Sequence, residues 1–196
     1  MVKPLSCQRI FAALLLMLSL AMAGQAVAGD ATIERVEPTV LDGQLAVDID
    51  INLTLNETIE RALSRGVPLY FVIELQIEQP RWWWFDKTVV NAVLERRLSY
   101  NTLTRSWRVS TGDLAITAND QAQALAQLTQ VRNWPVVLTD RFEPDRQYKG
   151  RVRIRLNTDQ LARPLQMDSV NRNSWTLASP WKPFEFAIRR EPGVAR

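Results

Sequence analysis

The sequence contains no histidine and a single cysteine, Cys7. That cysteine falls in a leading segment read below as cleaved, so the remaining chain has neither residue. Disulfides are then excluded even in an oxidising compartment. So are a cysteine nucleophile, a Ser-His-Asp triad and a zinc site with nitrogen or sulfur ligands. Acid–base chemistry is left to Asp, Glu, Lys and Tyr. No D-x-D-x-D-G loop is present to hold calcium. A clear basic excess is also missing. The chain has 24 Lys and Arg against 21 Asp and Glu, and Lys3 and Arg9 belong to the leader, which leaves 22 against 21. A nucleic-acid binder would carry more positive charge than this, so no nucleic-acid partner is expected. Internal repeats, linkers and low-complexity tracts are absent as well.

The leader is the clearest positive signal. Lys3 and Arg9 precede an apolar run from Ile10 to Ala23, and Ala26-Val27-Ala28 supplies small residues before Gly29. This is the pattern of a secretory signal peptide. The run is shorter than the roughly 20 residues a membrane-spanning helix needs. Leu5-Ser6-Cys7 resembles a lipoprotein cleavage box, but it precedes the apolar run, so no lipid anchor is expected. The chain is therefore divided into a signal peptide (1–28), one domain (29–190) and a frayed C-terminus (191–196). Localisation in the periplasm follows, with no stable membrane anchor after cleavage.

Alternation dominates the rest. Leu45, Val47, Ile49, Ile51, Leu53 and Leu55 are spaced by two, with Asp48, Asp50 and Asn52 between them. This is a long strand with one wet face. Asp42-Gly43 predicts a turn that pairs it with Thr32–Val40. Asn56 caps a predicted helix over Glu57–Arg65, ended by Gly66. Leu69–Ile77 alternates again, up to Pro80. Thr88–Tyr100 and Arg105–Ser110 read as two strands with a tip near Asn101-Thr102. Asp120 and Gln123 form a capping box for a helix running to about Arg132, with Ala122, Leu125, Leu128 and Val131 on one stripe and Pro135 stopping it. Val136–Thr139, Tyr148–Leu156 and Phe184–Arg189 read as further strands, and Asp159–Met167 as helix or turn. About eight half-buried strands with two or three short helices predict a mainly β fold, an antiparallel β-sandwich.

Three features carry possible function. In Arg81-Trp82-Trp83-Trp84-Phe85-Asp86, an extended chain puts Trp82 and Trp84 on one face and Trp83 and Phe85 on the other. Either both pairs pack, or one is free to meet a sugar, a lipid interface or a protein. Arginine comes next: Arg151, Arg153 and Arg155 share one strand face, and Arg96 and Arg97 lie in another strand. Such a stripe fits phosphate or carboxylate groups, or else forms a ladder with Glu74, Glu78 or Glu95. Carboxylates come last. Asp48 and Asp50 share a face, while Asp86, Asp113, Asp140 and Asp145 lie near loops, and no spacing marks the pair a glycosidase needs. No catalytic residue, metal ligand or cofactor is singled out.

Several segments together resemble a known family. They are Arg81–Asp86, Leu98-Ser99-Tyr100-Asn101-Thr102-Leu103-Thr104-Arg105, Arg132-Asn133-Trp134-Pro135-Val136, Arg151–Leu156, Pro164-Leu165-Gln166 and Ser174-Trp175. Their order is similar to that in an exported family of Gram-negative bacteria catalogued as a domain of unknown function, some of whose members are called proline-rich signal peptide proteins. Asn157 and Ala162 stand where that pattern has Asp and Pro, which removes support for a ligand at 157. The resemblance implies an envelope location and a link to membrane sensor kinases, near whose genes such proteins are encoded. It supplies no catalytic residues.

The expected function is a non-enzymatic periplasmic binding or accessory protein whose partner is an envelope or membrane protein. Its recognition surface would comprise Trp82, Trp83, Trp84, Phe85 and Asp86, the hairpin at Tyr100 and Asn101, and Arg151, Arg153 and Arg155. The alternatives are a small carboxylate-dependent enzyme acting on an envelope polymer, and a lipid or sugar carrier. The oligomeric state is left open by the sequence. Export generates the first prediction. Mass spectrometry of periplasmic protein should find an N-terminus at Gly29 or Asp30, and an intact Met1 in the cytoplasm would contradict it.

Overall fold

The computed structural model describes residues 31–81, 86–161 and 175–188. Nine strands and two α-helices occur among them. In chain order they are β1 (Ala31–Leu41), β2 (Gln44–Leu53), α1 (Glu57–Ser64), β3 (Leu69–Gln79), β4 (Lys87–Asn101), β5 (Ser106–Thr111), β6 (Leu114–Ala118), α2 (Gln121–Thr129), β7 (Gln130–Leu138), β8 (Gln147–Leu156) and β9 (Lys182–Ala187). They form two antiparallel sheets, a smaller one ordered β1-β2-β7 and a larger one ordered β6-β5-β4-β3-β8-β9. The fold is mainly β, with the two-sheet arrangement of a β-sandwich. Among the described residues no helix is long and apolar enough to cross a membrane.

The alternation in the sequence builds one core. Leu45, Val47 and Ile49 of β2 and Phe71, Ile73, Leu75 and Ile77 of β3 are all buried in a single cluster. Val152 and Ile154 of β8 join them. β3 is the pivot, because it pairs with β4 on one side and β8 on the other. The β1–β2 turn has Asp42 and Gly43 both at positive φ, +48° and +72°, as the tight hairpin requires. Asn56 caps α1 by accepting from the Ile59 N–H at 3.0 Å.

Helix α2 starts as expected and ends early. Asp120 accepts from the Gln123 N–H at 2.7 Å, and Gln123 Oε1 accepts from the Asn119 N–H at 2.8 Å. The helix stops at Thr129, not near Arg132, and β7 begins at Gln130. The Thr129 hydroxyl turns back onto the Leu125 carbonyl at 2.9 Å. Ala124, Leu128 and Thr129 form the buried side, whereas Ala122 is exposed and Val131 is buried from a strand. Burying Val131 and Trp134 against β2 outweighs one more helical turn. Pro135 therefore does not stop a helix. It lies in an edge strand at a register shift, opposite Ala46, where its missing N–H is harmless. Of the predicted strand Val136–Thr139, the first three residues are the end of β7, and Thr139 opens a 3-10 turn.

A second shift in that ladder sets two residues, Arg132 and Asn133, against Asp48. Asn133 takes φ +49° and its N–H donates to Asp48 Oδ1 at 2.7 Å. Strand β6 had no counterpart in the sequence reading. Its alternation is weak, and Leu114 and Ile116 are exposed. The predicted element Asp159–Met167 overlaps the end of a 3-10 turn over Thr158–Gln160, and residues 162–167 lie outside the described residues. The last strand begins at Lys182, two residues before its predicted start. The signal peptide (1–28) and the C-terminus (191–196) also lie outside the described residues.

Arg96 ties the larger sheet to the α2–β7 junction. Its Nη1 lies 2.8, 2.9 and 3.1 Å from the carbonyls of Gln127, Leu128 and Gln130. Burial pulls its pKa down. The carbonyls are the negative end of α2, where a cation is favoured. Arg96 is therefore structural and not part of a binding stripe.

The core generates the second prediction. Leu75 has no exposed surface. Leu75→Asp puts an unpaired charge there and should cost about 4 kcal/mol or more. Urea titration followed by circular dichroism measures this, and wild-type stability in the variant would contradict the packing.

Candidate functional site: an arginine ladder and an arginine-lined groove

The stripe of Arg151, Arg153 and Arg155 forms as predicted on the outward face of β8, but its charges are engaged. Arg153 Nε donates to Glu74 Oε2 at 2.5 Å and Arg155 Nε to Glu74 Oε1 at 2.8 Å. Arg151 Nε donates to Gln76 Oε1 at 2.8 Å, and its Nη2 lies 4.0 Å from Glu78. The Trp181 ring lies beneath two of them, 4.5 Å from the Arg153 guanidinium carbon and 5.0 Å from that of Arg151. Strand register dictates this. Gln76 faces Arg151, Glu74 faces Arg153, and Glu74 reaches diagonally to Arg155. Burial pushes the Glu74 carboxyl up, but the hydrogen bonds and charges of Arg153 and Arg155 outweigh it and hold the carboxyl below its ordinary value. Glu95 makes no ion pair in this ladder and accepts from Gln160 Nε2 at 2.8 Å.

The β4–β5 hairpin carries a different arrangement. Arg97, Ser99 and Asn101 alternate along β4, so they share one face. Across the ladder they meet Ser110, Arg108 and Ser106. A third wall comes from the end of α1. Gly66, at φ +86°, reverses the chain there, and a Cβ on it would lie 3.6 Å from the Tyr100 carbonyl. That turn brings Arg65 and Pro68 beside the hairpin. The result is an open groove of about 700 Å3, lined by Arg65, Arg97 and Arg108 together with the hydroxyl and amide groups of the hairpin. No Asp or Glu lines it. Among the described residues Arg65, Arg97 and Arg108 make no ion pair, in contrast to the β8 stripe.

Of the other sequence-predicted site residues, Tyr100 and Asn101 border this groove. Asn101 shapes the turn, its Oδ1 accepting from the N–H groups of Leu103 and Thr104 at 2.9 and 3.1 Å. The Tyr100 ring packs at 4.8 Å on Trp107. Trp82, Trp83, Trp84 and Phe85 lie outside the described residues. Asp86 is exposed and accepts from the Arg81 N–H at 3.2 Å. It precedes β4, whereas Asn101 ends it, so the two are about 50 Å apart at the rise of an extended strand. The structure does not bring them to one surface.

The carboxylates considered for catalysis are dispersed. Asp48 holds the bulge in β7, and Asp50 pairs with Arg35 at 3.4 Å and with Arg132. Among the described residues no three carboxylates are grouped so as to hold a metal ion. Asn157 Oδ1 accepts from the Asp159 N–H at 3.3 Å, a turn-forming bond. Sequence reasoning missed Arg65 and did not separate Arg97 from Arg96. The available signal was parity, because neighbouring strand residues face opposite ways.

Fold and groove together describe an antiparallel β-sandwich with a basic recess at one hairpin. The chain belongs to the DUF4390 family, described as a domain of unknown function, whose model matches residues 28–185. No similar curated protein and no similar solved structure was found.

The ladder generates the third prediction. The Glu74 side chain is 18% exposed and serves two arginines. Glu74→Gln should cost about 1–2 kcal/mol at pH 7. Because the folded-state pKa is depressed, the stabilisation is present above the ordinary value of 4.5 and is lost as pH falls below it. Denaturation curves of variant and wild type should converge in acid, and a constant gap down to the acid limit would contradict the ladder.

Proposed function

We propose that this is an exported, non-enzymatic binding or accessory protein of the periplasm, and that the outward face of the β4–β5 hairpin is its recognition surface. The observation that carries this reading is the groove, which is concave, rich in hydrogen-bonding groups and without a carboxylate in its lining. That composition suits holding a ligand and gives no acid–base pair for glycoside cleavage. Export rests on the basic start, apolar run and Ala26-Val27-Ala28 site of the sequence. The envelope partner rests on that location and on the family resemblance.

Filling the groove tests the assignment. Ser99 lies on the groove face, and a Ser99→Trp side chain would occupy the recess. Chemical crosslinking in the periplasm, followed by pull-down, should recover an envelope partner with wild-type protein and lose it with Ser99→Trp at unchanged melting temperature. Equal recovery by both proteins would remove the hairpin as the recognition surface.

A further inference from the structure

The groove differs from much of the arginine-rich surface in how its charges are balanced, although Arg81, Arg105 and Arg141 likewise make no ion pair among the described residues. Arg35, Arg61, Arg132, Arg146 and the three arginines of β8 each pair with a carboxylate. Arg65, Arg97 and Arg108 have no such partner among the described residues. Arg97 and Arg108 are diagonal neighbours, since Arg97 faces Ser110 and Ser99 faces Arg108. Diagonal neighbours across an antiparallel pair are roughly 7–8 Å apart, their Cβ atoms somewhat closer. Two guanidinium groups on such stems can close on one tetrahedral anion from two sides.

An unpaired polar group also lies beside the groove. Ser110, the cross-strand partner of Arg97, is 6% exposed, and its Oγ is buried without a hydrogen-bond partner among the described residues. A buried hydroxyl left unpaired is costly. It lines a depression of about 400 Å3 that adjoins the groove and shares Arg97 with it. Glu95 also borders this depression, so the anion belongs on the Arg108 side of Arg97. Around the arginines, Thr104 and Ser106 share a hydrogen bond at 2.7 Å and the Ser99 hydroxyl donates to the Arg108 carbonyl at 3.5 Å, so these oxygens keep acceptor capacity towards a hydroxylated ligand.

Resting on the recognition surface assigned above, we propose that the groove binds a phosphate ester that also carries hydroxyl groups. Arg97 and Arg108 hold the phosphoryl oxygens, and Arg65 adds positive charge from the third wall. The shared chemistry occurs in a soluble sugar phosphate and in a glycerol-type lipid headgroup. An acidic protein segment is the competing ligand, and its carboxylates do not use the hydroxyl-rich lining.

Calorimetric titration of the purified protein tests this with glucose 1-phosphate, glucose, inorganic phosphate and a Glu-rich peptide. Vesicles of phosphatidylglycerol and of phosphatidylcholine form the membrane arm. Binding of glucose 1-phosphate or of phosphatidylglycerol vesicles is expected, with glucose inert, and the better of the two identifies the source. Arg97→Gln and Arg108→Gln should each weaken it about tenfold. Arg141→Gln, outside the groove, should leave it unchanged. Equal binding of glucose and its phosphate, indifference to both arginine changes, or preference for the Glu-rich peptide would each overturn the proposal. If no phosphate ester binds while Ser99→Trp still abolishes partner capture, the ligand class falls and the recognition surface stands. If Ser99→Trp leaves capture intact and phosphate esters do not bind, both fall.

Discussion

The structure depends on one strand being apolar on its inward row and hydrogen-bonded along both edges. Phe71, Ile73, Leu75 and Ile77 of β3 have no exposed surface, and β4 and β8 take up the backbone groups on either side. Neither condition suffices alone. Burying the row without ladder partners would leave backbone groups unsatisfied. Pairing without the row would leave the larger sheet with nothing to place against β2. The outward row of the same strand then sets the surface chemistry. Because Phe71, Ile73 and Leu75 point in, Glu74 and Gln76 must point out, and they meet the arginines of β8.

Arginine has two uses on this surface, and pairing distinguishes them. In the β8 stripe each guanidinium reaches a carboxylate or amide directly across or diagonally, and two also lie over Trp181. Such groups are costly to unpair and poorly placed to take a ligand. Around the hairpin the register puts serine opposite each arginine instead, so charge is left uncompensated. The overall charge balance hides this difference, because a near-neutral total says nothing about local pairing.

Much of the fold was legible because its strands have one wet face. β2, β3 and β8 carry long runs of strict alternation, and the Asp42-Gly43 turn and the Asn56 and Asp120 caps are local devices that need no tertiary context. The errors occurred where distant contacts decide. Gln130–Asn133 reads as a continuation of α2 until β2 is beside it. β6 is held by pairing with β5 more than by burial. β4 outruns β5, and its Lys87–Arg96 edge has no strand neighbour among the described residues. A bulge near Val89 and the charges of Lys87 and Glu95 blunt that edge. The arginine stripe was visible as a pattern, but the partner of each arginine was not. The groove was less legible still, since it needs the hairpin register and the turn at Gly66 together.

One small position has a wider consequence. Gly150 of β8 faces Phe184 of β9, and a Cβ there would lie 2.1 Å from the Phe184 ring. Backbone hydrogen bonds alone would accept β9 shifted by two residues, because the ladder repeats at that interval. A shift would set Phe184 against Tyr148 or Val152, where side chains already fill the space. The absent methyl group therefore works as an address. It tells β9 which of several equivalent hydrogen-bonding berths is its own.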